Sequence, residues 1–173
     1  MYRLLQWNMK YKLIYLFLLS LYFPEVYAQA TLPGINQRII QYVKGVIGKQ
    51  VNSGECWDLA DVALTKSGAK FDKSSEKTLY IFGEEYDPRK EDILPGDIIQ
   101  FEKIVVKYQE GNRIMTESFT HHTAIVYEVL THREIRLAHQ NTSRTGKKVG
   151  ISTLNLENVQ KGKMFFYRPI AQN

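Results

Sequence analysis

One cysteine, Cys56, and four histidines confined to positions 121–139 are the side chains best suited to chemistry in this 173-residue chain. A lone thiol cannot close an internal disulfide. It is therefore a small buried hydrophobe, a link to another chain, or a nucleophile. Its neighbours favour the last. In ECWDLADVALTKSG the residues Leu59, Ala60, Ala63 and Leu64 mark one helical face and Gly68 a stop, so Cys56 falls at a helix start. There the backbone N–H groups and a neighbouring imidazolium stabilise a thiolate, and an imidazole can carry its proton.

The spacing of the histidines supplies such a base. HHTAIVYEVL and EIRLAHQN read as consecutive antiparallel strands joined by a tight turn at Thr131 and His132. With those two turn residues His122 lies opposite Asn141, and a shift of two puts it opposite His139. In either register His122, His139 and Asn141 share one face, while His121 and Gln140 project to the other. Cys56 on a helix packed over that face would meet His122 as base. His139 or Asn141 would orient the ring, which places nucleophile, base and orienter together. The backbone N–H of Cys56 would meet a developing oxyanion, with Gln50, six residues earlier, as a candidate second donor.

The elements that must position these groups are legible in outline. From Leu32 to Val51 apolar residues recur at helical spacing (Ile35, Ile39, Ile40, Val43, Val46, Ile47), giving a first amphipathic helix that ends near Gly48. The Cys56 helix follows. Residues 69–92 are polar apart from Tyr80, Phe82 and Tyr86 and read as a long surface loop that shapes a cleft. From Ile93 on, LPGDIIQFEKIVVKYQ, a turn at EGNR, the two histidine strands, KVGISTLNL and GKMFFYRPI make an antiparallel sheet. Pro95, Gly96 and Asp97 form a turn that needs no chemistry. Helices first and sheet second define an α+β domain.

Residues 1–28 carry three bases, then an uncharged run LIYLFLLSLYF, then Pro24 and a small-residue cleavage pattern at Ala28 and Ala30. The run is too short to span a bilayer and reads as a secretory signal. That leaves 29–173 as one domain, secreted or in the periplasm or cell envelope, with no membrane span after cleavage. Removing residues 1–28 reduces the formal charge from +5 to +3. The remaining charges alternate in sign, without the basic stripe of a nucleic-acid face.

In this order, GECWDLAD, LPGDIIQFE, HHTAIVYEV and LAHQN resemble the CHAP amidase/peptidase family and its NlpC-type relatives in the papain-like superfamily. The resemblance spans about residues 35–170. It implies a papain-like fold with the nucleophile at a helix start, Cys56 as nucleophile and His122 as base. The third role falls to Asn141 by the CHAP pattern or to His139 by the NlpC pattern, and Gln50 sits at the oxyanion glutamine's spacing. The implied activity is cofactor-independent cleavage of an amide through a thioester, with peptidoglycan peptides or another peptide amide as substrate. Two alternatives use the same residues: a catalytically silent binding module of this fold, and a metal site built from Cys56, His122 and His139.

Overall fold

The computed structural model describes residues 32–74 and 80–172. The proposed signal segment lies outside them, and no described helix is long and apolar enough to cross a membrane. Two helices, α1 (Gly34–Val46) and α2 (Cys56–Ser67), precede a six-stranded antiparallel sheet. Its strands are β1 (Glu84–Tyr86), β2 (Ile98–Glu110), β3 (Arg113–Val129), β4 (Glu134–His139), β5 (Gly150–Asn155) and β6 (Val159–Arg168), in the spatial order β1-β6-β2-β3-β4-β5. The α+β papain-like class is therefore the observed one.

The helix starts and stops follow from local chemistry. Glu55 and Asp58 cap the N-terminus of α2 reciprocally, each carboxylate accepting from the other's backbone N–H, and Ser53 donates to Asp58 at 2.6 Å. At the other end Gly68 takes a left-handed conformation, φ 69°. The inward stripes of the two helices, including Ile39, Val43, Leu59, Ala63 and Leu64, pack against Ile98, Ile125 and Ala138 on one face of the sheet. A second apolar layer forms on the other face from Ile99, Phe101, Ala124, Val126, Ile135, Leu137 and Phe166.

Asp97 joins helix and sheet. Fully buried, it accepts hydrogen bonds from Asn36 on α1 (2.9 Å), Tyr86 on β1 (2.7 Å), the Leu94 backbone (2.9 Å) and Arg168 on β6 (3.0 Å). The Pro95–Asp97 turn thus has a structural task, and Gly96 is required there. It has φ 89°, and a Cβ would lie 2.8 Å from Asn36.

The expected turn at residues 110–113 is the tip of the β2–β3 hairpin, with Glu110 paired to Arg113. β3 is longer than its apolar pattern suggests, because residues 113–120 pair with β2 in a two-stranded ribbon exposed over much of its surface. Within the long segment 69–92, β1 pairs with β6.

One irregularity shapes the second face. Between Glu102 and Val105, β2 carries one residue more than β6, with Lys103 at φ 49°. Gly162 on β6 accommodates this bulge: a Cβ would lie 2.6 Å from the backbone of Glu102, Lys103 and Ile104. Residues three apart in a regular strand face opposite ways, yet Phe101 and Ile104 both enter the second layer. β3 stays in register with β2 through the bulge, so Phe119 and His122, also three apart, stack with ring centroids 4.3 Å apart.

Candidate active site

Cys56 opens α2, as its spacing predicts, and is half-buried. Its sulfur lies against the backbone N–H of Thr123, the residue after His122, and also faces the N–H groups of Trp57 and Cys56 itself. These donors favour the thiolate. Burial outweighs them and, with the adjacent Glu55 carboxylate, holds the thiol above its ordinary pKa. Cys56 is therefore a neutral thiol at rest, not the thiolate expected from its helix-start position.

The loop that presents Cys56 is fixed by a residue that the sequence pattern does not single out. Gln140, fully buried, accepts from the Val51 N–H (3.1 Å) and donates to the carbonyls of Val51 (3.1 Å) and Glu55 (2.8 Å). One amide thus spans the loop from its start to the N-cap of α2. The signal available in the sequence was its projection away from His139, toward the helices.

His122 is buried and donates or accepts through Nε2 to Nδ1 of His139 at 2.9 Å. Nε2 of His139 in turn meets Ser152 Oγ on β5 at 2.9 Å. The chain has a consistent proton order when His122 donates from Nε2 and His139 donates from Nε2 to the serine oxygen. Nδ1 of His122 then carries a lone pair. Burial holds His122 down at about 3, assisted by repulsion from a charged His139, and burial alone holds His139 at about 4. Both rings are neutral at physiological pH.

The structure brings His122 and His139 together, as the shared-face argument requires, but separates Asn141 from them. The β3–β4 register pairs Ile125 with Ala138 and Val126 with Leu137, which matches the first of the two registers considered. β4 ends at His139, however. Asn141 then takes a left-handed conformation, φ 62°, in a turn closed by Thr142 and Gly146, and donates to Glu55 Oε2 at 2.8 Å. Two-residue periodicity fails once the strand stops, so Asn141 braces the α2 N-cap and does not touch His122. Gln50 is likewise turned elsewhere: it is exposed and donates to the Asn52 carbonyl at 3.1 Å. His121 is exposed and stacks on Tyr80 with centroids 5.8 Å apart.

Among the described residues, no group of three or more His, Cys, Asp or Glu side chains is placed to hold a metal ion. The facing nitrogens of His122 and His139 are engaged with each other. The metal-site alternative therefore finds no ligand set in this part of the chain.

Two helices on an antiparallel sheet, with the cysteine at a helix start and the histidine on a central strand, define a cysteine proteinase fold of the papain-like type. The chain belongs to the AIM3/BBC1 cysteine proteinase-fold domain family, whose model it matches over residues 33–173. It is similar to Altered inheritance of mitochondria protein 3 of Debaryomyces hansenii, 27% identical over 148 residues, covering 76% of this chain and 15% of that protein. This chain thus spans about 15% of the length of that curated relative. The crystal structure of Ly7917 is also similar, at TM-score 0.44 and 17% identity over 76% of this chain and 62% of that one.

These findings correct the expected location. The similar protein is from a yeast and is named for the inheritance of mitochondria, organelles within the cell, so the secreted or periplasmic reading does not stand.

Proposed function

We propose that this domain is a cysteine hydrolase that cleaves an amide bond through a thioester, with Cys56 as nucleophile, His122 as base and His139 as the residue that orients it. The carrying observation is the 2.9 Å contact between His122 Nε2 and His139 Nδ1. It commits one ring nitrogen of His122 to its support and leaves the other for the thiol. In the reaction the Cys56 S–H proton passes to His122 Nδ1 as the sulfur attacks the carbonyl carbon. The C–N bond then breaks and the same proton goes to the departing amine. Water, deprotonated by His122, cleaves the thioester and returns the thiol. The Cys56 backbone N–H is the donor at hand for the oxyanion.

The resting pair is neutral, so the proton moves only when a substrate is present. His139 stabilises the imidazolium formed on His122 by accepting its Nε2–H, and Ser152 holds His139. The CHAP resemblance supports an amidase or peptidase. The wall-peptide substrate it implies is not carried forward, because the yeast relative points to a different setting.

A second reading, a catalytically silent binding module on the same fold, is favoured by one observation: burial suppresses both the thiolate and the imidazolium. Wild type and Cys56→Ala incubated with a panel of peptide amides, with products identified by mass spectrometry, decide between the two. New termini from wild type alone support the hydrolase. Intact substrates with both proteins support the silent module.

A further inference from the structure

A cavity of about 380 Å³ lies beside the two histidines on the second face of the sheet, within the ~300–1,000 Å³ range of ligand pockets. His122, His139 and Ser152 form one side of it. Phe101, Ile104, Val106, Phe119, Leu137 and Leu154 supply apolar lining. At its rim the Arg144 guanidinium lies 5.1 Å from the Tyr108 ring centroid and 3.6 Å from the Glu117 carboxylate. We infer that this cavity takes an uncharged, bulky apolar group of the substrate, an aromatic or branched aliphatic side chain next to the scissile amide. The inference rests on the hydrolase reading, because the His122 imidazole is itself a wall.

Charge and shape carry the choice of occupant. Glu117 is the only carboxylate in the lining, and it already faces Arg144. The two imidazoles are held neutral by burial. A charged side chain entering here would give up its hydration without gaining a new counter-charge. An apolar one gives up only unfavourable hydration and meets rings and branched aliphatics. The cavity owes its apolar lining to the bulge at Lys103, which turns Phe101 and Ile104 to the same side.

The test uses full-length Cys56→Ala, which cannot turn over, and reads the ring signals of His122 and His139 by NMR. N-acetyl-phenylalanine amide should shift both signals saturably. N-acetyl-aspartic acid amide and N-acetyl-lysine amide should bind roughly tenfold more weakly or worse, the ratio expected from burying an aromatic side chain. Adding Val106→Phe, which fills the cavity from β2, should weaken the aromatic probe. If that variant misfolds, replacing the probe with N-acetyl-glycine amide removes the same contact and should lose the same binding. Equal shifts from charged and aromatic probes, or none from any, would overturn the inference. Selective binding of the aromatic probe by a protein whose wild type hydrolyses nothing would sink the hydrolase reading and leave the cavity's preference standing.

Discussion

His139 stands behind His122, Nδ1 to Nε2 at 2.9 Å, and Ser152 stands behind His139 at the same distance. This three-member line runs across β3, β4 and β5, so the angle of the His122 ring is set by the sheet and not by a mobile loop. Replacing His139 by Ala removes the acceptor that supports a protonated His122. The expected loss in kcat is about 10²–10⁴-fold, the range seen when an orienting group is removed from a triad. His139→Asn, which keeps an acceptor, should recover part of it. Steady-state kinetics on any amide found to be cleaved provides the check, and an unchanged kcat in His139→Ala would remove His139 from the mechanism.

The thiol should be sluggish at low pH. Burial raises the Cys56 pKa above its ordinary value, so the rate of iodoacetamide labelling should rise with a midpoint on the alkaline side of a free cysteine. A labelling profile measured between pH 5 and 10 tests this directly. A plateau already reached at mildly acidic pH would mean a thiolate–imidazolium pair at rest.

Gln50 and Gln140 should behave in opposite ways. Gln50 is exposed and bonds only its local carbonyl, so Gln50→Ala should leave both stability and turnover within experimental error. Gln140→Ala leaves the Val51 N–H and the carbonyls of Val51 and Glu55 without their partner beside the nucleophile. A cost of about 1–3 kcal/mol is expected from the unsatisfied buried groups, together with a lower rate of Cys56 alkylation. Urea unfolding and the labelling rate of each variant give the comparison.

Acid should destabilise the fold through the histidine pair. Both rings have folded-state pKa values, about 3 for His122 and about 4 for His139, below the unfolded value of ~6.5. Between those limits the unfolded chain binds protons that the native protein refuses. Stability is therefore full above about pH 6.5 and falls as pH drops toward 4, by on the order of 1 kcal/mol per pH unit for each ring. Urea midpoints at pH 7, 6 and 5 should decline more steeply for wild type than for a variant carrying His139→Gln. Equal slopes would show that carboxylates, and not these rings, govern acid sensitivity.

Much of this architecture is written locally in the chain. The α2 boundaries follow from the Glu55–Asp58 cap and Gly68, the hairpin tip from Gly111, and the common face of His122 and His139 from strand alternation. What escaped was non-local. Asn141 left the face because β4 stops one residue after Ala138, and no periodicity argument announces where a strand will stop. Gln140 reads as one more strand residue until the loop 89 positions earlier folds onto it. The location inferred from the first 28 residues failed for a different reason: a basic stretch followed by a short apolar run is a compositional pattern, and composition alone does not name a compartment.

The bulge at Lys103 is a phase slip, comparable to a dislocation in a regular lattice: one surplus residue in β2 exchanges inside for outside over everything that follows in the ribbon. Before it, even-numbered and odd-numbered positions have one assignment to the two faces; beyond it they have the other. The width of the recess beside His122 is thus governed by a count of residues as much as by their identity. Shortening β2 by that single residue would undo the exchange and turn Ile104 outward. A lineage could in this way remodel the recess by one codon's deletion while leaving Cys56, His122 and His139 untouched.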